Sequence, residues 1–150
     1  MDLVRSIACR LNRLRKPSST STPDPRHLFG QAGENAAAAH LKRNGYKVLY
    51  RNFRARHGGE VDIVCRERAT NTLVFIEVKT RESREWGDPH AAVDLKKQRL
   101  IIRGAMEWMR MLEFPEIKIR FDIVEVVGSE GNWDFNIIKD AFHLPNNYHL

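Results

Sequence analysis

The stretch "GGEVDIVCRERATNTLVFIEVKT", Gly58–Thr80, decides how this chain is read. Two runs rich in Val, Ile and Phe, "GEVDIVCRE" and "NTLVFIEVKT", flank the polar turn "RATN", which predicts a β-hairpin. Inside these otherwise apolar strands sit Asp62, Glu77 and Lys79. Side chains two apart on a strand share a face, so Glu60 goes with Asp62 and Glu77 with Lys79. A turn between Ala69 and Thr70 sets Asp62 opposite Glu77 and Glu60 opposite Lys79. Opposed carboxylates repel, at a cost on the order of a kcal/mol or less on an exposed sheet face. A divalent cation between Asp62 and Glu77 removes that cost, and the Val78 main-chain carbonyl can supply a third oxygen ligand. Lys79 then stands one strand step from the metal.

Working outward, "GENAAAAHLKRN" reads as a helix ended by Gly45, with an alanine run that allows close approach to a sheet. "YKVLYRNFRA" reads as a strand before the hairpin. "WGDPHAAV" is loop, and Asp94 caps a long helix, "LKKQRLIIRGAMEWMRML". "IKIRFDIVEVV" alternates with Ile117, Ile119, Phe121 and Ile123 on one face, and "NWDFNII" adds a strand with Trp133, Phe135 and Ile137 on one face. The fold class is therefore α/β, a mixed sheet flanked by helices in the order helix, three strands, helix, two strands.

Both helices carry one polar residue at the end of an apolar stripe. In the first, Glu34 precedes Ala37, Ala38 and Leu41; in the second, Gln98 precedes Ile102, Ala105, Met109 and Leu112. Glu34, Asp62, Glu77, Lys79 and Gln98 are thus candidates to meet at one point. Metal-assisted phosphodiester hydrolysis wants such a set. A cation neutralises phosphate charge and acidifies a bound water. A lysine beside it orients that water or offsets charge on the phosphoryl oxygens. Near carboxylates Lys79 should stay protonated.

The chain has 150 residues, 42% hydrophobic and 29% charged, which suits one soluble domain plus a tail. Three regions are expected: a basic tail and Ser/Thr/Pro linker over 1–27, a domain over 28–142, and a short C-terminal tail over 143–150. No apolar run approaches the ~20 residues of a membrane span. Cys9 and Cys65 form no CxxC pair or disulfide framework, which suits a reducing cytoplasm. The net charge is +6, of which +4 belongs to Met1–His27, so the overall basicity is mostly the tail's. "MDLVRSIACRLNRLRK" has the spacing of a short basic amphipathic helix, and "PSSTSTPDP" reads as linker. In the domain, Lys42, Arg43, Lys47, Arg51, Arg54 and Arg56 follow one another with no acid between, which suggests one basic face.

The GEVD at Gly59–Asp62, the E-V-K at Glu77–Lys79, the "GQAGE" element ending at Glu34 and the "RNFR" at Arg51–Arg54 together resemble the YraN family of bacterial proteins. That family is similar to the restriction-endonuclease-like nucleases, Holliday-junction resolvases among them, and the resemblance covers about Gly30 to Ile138. It implies an αβββαβ core, a Mg²⁺ or Mn²⁺ cofactor, and Glu34, Asp62, Glu77 and Lys79 as the metal and catalytic set. Some nuclease branches place Gln-x-x-x-Tyr on the helix after the E-x-K strand. Here Gln98 is followed by Ile102, a departure that weakens its assignment.

Other residues have plainer readings beside functional ones. Glu60 reads as a partner of Lys79 rather than a ligand. Arg51, Arg54 and Arg56 lead into the site strand and are candidates for phosphate contacts, with surface charge as the alternative. Gly58 and Gly59 mark a tight turn. The six histidines show no zinc spacing. Trp86 could stack on a base, whereas Trp108 and Trp133 read as packing residues. A D…ExK pattern alone also describes a solvated sheet face; GEVD, Glu34 and the element order favour the nuclease.

The expectation is a metal-dependent nuclease acting on nucleic acid, DNA rather than RNA, with branched or structured DNA as a candidate substrate. Symmetric resolution of a junction would need two active sites, hence a homodimer. The alternatives are a non-cutting nucleic-acid-binding module on the same fold and an adaptor tethered through its tail.

Overall fold

A computed structural model of the chain describes residues 22–83 and 93–146. The basic N-terminal segment, most of the linker, Trp86 with its loop and residues 147–150 lie outside the described residues.

Helix α1 (Pro25–Arg43) starts well before the predicted "GENAAAAHLKRN". Asp24 explains the difference. Its carboxylate accepts from the Arg26 N–H at 3.0 Å, and Pro25 at the first helical position forfeits no intrahelical bond. What reads as linker chemistry is a helix cap. At the other end the Asn44 amide donates to the His40 carbonyl at 2.8 Å, and Gly45 (φ 84°) turns the chain away as predicted.

There follow β1 (Tyr46–Arg54), β2 (Glu60–Glu67), β3 (Thr72–Arg81), α2 (Leu95–Met111), β4 (Ile119–Ser129) and β5 (Asn132–Phe142). The five strands form one mixed sheet in the order β1-β2-β3-β4-β5. Only β3 and β4 run parallel, joined across α2. This is the α/β fold and αβββαβ core expected, with β5 as a further edge strand. Strand β5 continues past the predicted Ile138 to Phe142. A left-handed Asp140 (φ 55°) gives its N–H to the Asp122 carboxylate at 2.9 Å along the way.

A helix covers each face of the sheet. Under α2 lie Val64, Leu73, Phe75, Phe121 and Ile123 with Ile101, Trp108 and Met109. Ile63, Cys65, Val74, Ile76, Val124 and Val126 pack with Ala37, Ala38 and Leu41 of α1. The Glu34 and Gln98 stripes are buried as their spacing predicts. In one place strict alternation fails. Val61 and Val64, three apart, both pack with Tyr50 and Phe53 on the α2 side, while Ile63 faces α1. Opposite Asp62, Asn52 of β1 lies in the left-handed region (φ 54°), and the β1–β2 register shifts by one residue a little earlier, between Val48 and Tyr50. Asp62 sits at this break, so its expected same-face relation to Glu60 does not follow from counting.

The strand ends away from Asp62 carry a buried polar network. Arg120 grips Asp122 through two nitrogens at 2.7 and 2.8 Å and reaches Glu67 at 2.9 Å. Lys139 meets Glu67 at 2.6 Å, and the Tyr46 hydroxyl donates to it at 3.1 Å. Asp122 is fully buried, so this pairing is what permits its charge there.

Candidate metal and active site

The β2–β3 ladder pairs Glu67 with Thr72 through to Ile63 with Ile76, the register predicted from the turn. The next step would pair Asp62 with Glu77. There the ladder yields to a side chain: Asp62 Oδ2 accepts the Val78 N–H at 2.8 Å. A carboxylate thus takes up a main-chain donor of β3 and is held beside Glu77.

Glu77 lies inside the sheet with its side chain only 4% exposed. Oε1 is 3.0 Å from Lys79 Nζ and 3.4 Å from Lys97 Nζ. Oε2 is buried without a hydrogen-bond partner. A carboxylate oxygen in that position is costly unless something else completes it. Asp62 shows the same tension. Burial first, then the Glu77 charge, then Glu34, push its carboxyl up to about 7, against the Val78 N–H and Lys97, which act the other way.

Glu34 arrives from the opposite side of the sheet. A Cβ at Gly33 would lie 2.0 Å from Thr80 Oγ1, so only glycine lets α1 rest this closely on β3. That contact places Glu34 at the end of β3, where it lines a cavity of about 590 Å³ with Arg26, Phe29, Val78, Thr80 and Glu82.

Lys97 escaped the sequence reading. Its ammonium pairs with Glu60 and lies 3.4 Å from Glu77. Burial opposes the charge, but the Glu60 hydrogen bond and the carboxylates of Glu77, Asp62 and Glu60 outweigh it and hold Lys97 above the usual lysine range. A signal was present. Asp94 caps α2 by accepting the Lys97 N–H at 2.7 Å, so Lys97 lies in the first turn, where the helix dipole disfavours a cation. Such a lysine calls for a carboxylate nearby. Glu60, expected to partner Lys79, pairs instead with Lys97 and, at 3.5 Å, with Arg54. Lys79 turns to Glu77 on its own strand.

The remaining candidates divide. Gln98 gives its amide to the Val93 carbonyl at 3.0 Å and secures the entry to α2. Arg51 binds Asn35 of α1 at 2.6 Å. Arg54 is 81% exposed, and Arg56 is exposed beside Glu107. Asp62, Glu77 and Lys79, joined by Lys97 and Glu60, form one cluster, and Glu34 on the α1 side is near enough to act on the Asp62 charge; Gln98 and Arg51 make the hydrogen bonds just described.

Among the described residues, no three His, Cys, Asp or Glu side chains form a ready cage for a metal. A hard cation that keeps several waters needs less, one or two carboxylates with carbonyl or solvent oxygens. The unpartnered Glu77 Oε2, beside an Asp62 crowded by like charge, fits that demand.

Residues 33–126 match the family described as Uncharacterised protein family UPF0102. A UPF0102 protein of Pelobacter propionicus is 42% identical over 133 residues, covering 88% of this chain and 94% of the relative. One of Bacteroides thetaiotaomicron is 42% identical over 117 residues, covering 78% and 93%. One of Caldicellulosiruptor saccharolyticus is 44% identical over 116 residues, covering 76% and 96%. The chain belongs to the UPF0102 family, the YraN family that its motifs resemble.

Proposed function

We propose that this chain is a divalent-metal-dependent endonuclease that hydrolyses phosphodiester bonds in DNA in the cytoplasm. Branched or structured DNA is the substrate shape that the family resemblance suggests. The observation that carries this reading is the buried, unpartnered Glu77 Oε2 beside Asp62, with Lys79 on Glu77 and the Glu34 charge acting on Asp62. Asp62, Glu77 and the Val78 carbonyl would hold Mg²⁺ or Mn²⁺. When bound, such an ion neutralises phosphate charge and acidifies a water. The protein's own part is positional. Lys79, steadied by Glu77, offers an ammonium to the charge that develops on the phosphoryl oxygens. Glu34, facing the adjoining cavity, can accept a hydrogen bond from the attacking water.

The test is a panel of single-stranded, duplex, flap and four-way-junction DNA plus RNA, each with Mg²⁺, Mn²⁺ or EDTA. Asp62→Asn and Glu77→Gln should each abolish metal-dependent cleavage while leaving the fold intact. Lys79→Ala should keep Mn²⁺ binding and lose rate, as expected of a group acting in the transition state. A wild-type protein that binds several of these substrates and cuts none would leave a binding module on the same fold. Lys97 favours that second reading, because its ammonium already supplies Glu60 and Glu77 with a cation. Residues 1–21 are the lever on the adaptor reading, and their removal should abolish partner capture only if the tail is the tether.

A further inference from the structure

The outer face of α2 is dominated by cations, with Leu95 at its first position as the exposed apolar exception. Lys96, Arg99, Arg103 and Arg110 are exposed and fall on one stripe, while Ile101, Ile102, Ala105, Trp108 and Met109 are buried against the sheet. At 1.5 Å per residue the stripe from Lys96 to Arg110 is about 21 Å long. Arg110 is paired with Glu107 at 2.5 Å. Among the described residues, Lys96, Arg99 and Arg103 have no acidic partner.

Two further observations tie this stripe to the candidate site. Its first residue adjoins Lys97, whose ammonium bonds Glu60 and lies near Glu77, so the stripe begins where the carboxylates cluster. At the helix midpoint the β1–β2 turn rests on it. A Cβ at Gly59 would lie 2.3 Å from the Gly104 nitrogen, and one at Gly104 would lie 2.9 Å from Val61 Cγ2. This contact, which also brings the turn against the Arg103 backbone, holds Arg56 and His57 close enough to Glu107 to act on its charge. The basic surface therefore spans two elements locked together and leads into the site.

We infer that α2 and the β1–β2 turn form the phosphate-backbone seat for duplex DNA flanking the candidate site, with Lys96, Arg99 and Arg103 as its principal contacts and Arg54 and Arg56 at its edge. Duplex DNA presents about one negative charge per 1.7 Å of axis, and an array of cations suits that partner independently of sequence. An anionic bilayer is the poorer fit, since a membrane-surface helix must offer a broad apolar face and, Leu95 apart, that of α2 is buried in the core. The inference rests on the nucleic-acid partner proposed above, but not on cleavage.

The experiment measures duplex binding in EDTA from 50 to 300 mM salt, so that cutting plays no part. The full chain is compared with a Lys96→Gln, Arg99→Gln, Arg103→Gln variant. A second triple, Lys42→Gln, Arg43→Gln, Arg68→Gln, removes the same charge from exposed positions at the other end of the strands. The α2 triple should lose at least tenfold in affinity at 150 mM salt, and its salt slope should flatten by about 2 to 3, at ~0.9 per lost phosphate contact. The control triple should lose much less. Equal losses in the two triples would overturn the inference in favour of net charge alone, as would an α2 triple that binds like the wild type. Wild-type binding to phosphatidylserine vesicles but not to DNA, lost in the α2 triple, would overturn it in favour of a membrane. A wild type that binds through α2 yet cuts nothing leaves this surface standing while the nuclease reading falls; a wild type that binds no duplex overturns this surface and leaves the nuclease reading to the cleavage panel.

Discussion

Glu77 carries, at a single side chain, the case for the proposed ion. One of its oxygens is shared by Lys79 and Lys97, at 3.0 and 3.4 Å, and the other has no partner at all. Lys97 therefore acts as an internal counter-cation, and it competes with any divalent ion for the same carboxylate. Lys97→Met should tighten Mn²⁺ binding about three- to tenfold by calorimetry, the scale of removing one like charge a few ångströms away in a partly solvated site. The same change should lower metal-free stability, because it takes a cation from Glu60 and from buried Glu77. Weaker Mn²⁺ binding in Lys97→Met would show instead that the ammonium holds the carboxylates in a binding arrangement. Asp62→Asn, with a proposed ligand gone, is the comparison that identifies the heat as site-specific.

Between the helices and the sheet, geometry depends on glycines more than on the motifs themselves. Gly59 has no room for a methyl group against the Gly104 backbone, so Gly59→Ala must push the β1–β2 turn off α2. It should cost roughly 1–3 kcal/mol, the usual price of overpacking, read as a lower urea midpoint at unchanged slope. Gly45→Ala meets no neighbour, and any loss there reflects only its left-handed backbone. These contacts mark the boundary of what the sequence makes legible. Hairpin register, strand faces and the Glu34 stripe follow from period-2 and period-3.6 patterns, which are local. Lys97 reaching Glu60, 37 residues earlier in the chain, depends on how α2 docks, and docking is fixed by the Gly59–Gly104 contact that no periodicity records. The β1 irregularities, the shift between Val48 and Tyr50 and the left-handed Asn52, were hidden for a similar reason, since each leaves the hydrophobic count almost unchanged. The start of α1 was legible in principle, as Asp24-Pro25 is cap chemistry, but Pro-rich surroundings resemble linker.

Across the whole molecule, the two ends of the sheet hold charge in opposite ways, and pH should separate them. At one end Glu67 is held well below the usual carboxylate range, chiefly by its Arg120 hydrogen bond and also by those from Lys139 and Thr70. A depressed folded value means stability that is complete above the ordinary glutamate pKa of 4.5 and is lost as pH falls through the folded value. At the other end Asp62 is raised from 3.8 to about 7, which has the reverse sign. The folded state favours its protonated form, so as pH rises from about 4 to about 7 the metal-free protein loses stability through this group, and the penalty is constant above that. His40, lowered by burial and then by Arg43, loses stability as pH falls below 6.5 and partly masks the Asp62 effect in the wild-type curve. The difference between variant and wild type removes that overlap. In EDTA, Asp62→Asn should be more stable than wild type by on the order of 1 kcal/mol at pH 8, with the gap closing toward pH 4. Glu67→Gln should be destabilised at pH 7 and approach the wild type only in strong acid. Chemical denaturation at each pH from 3 to 9 gives both curves. An Asp62→Asn gap that stays flat across that range would mean that the Asp62 carboxylate is not crowded by Glu77 and Glu34, and would remove the electrostatic reason for placing a cation there.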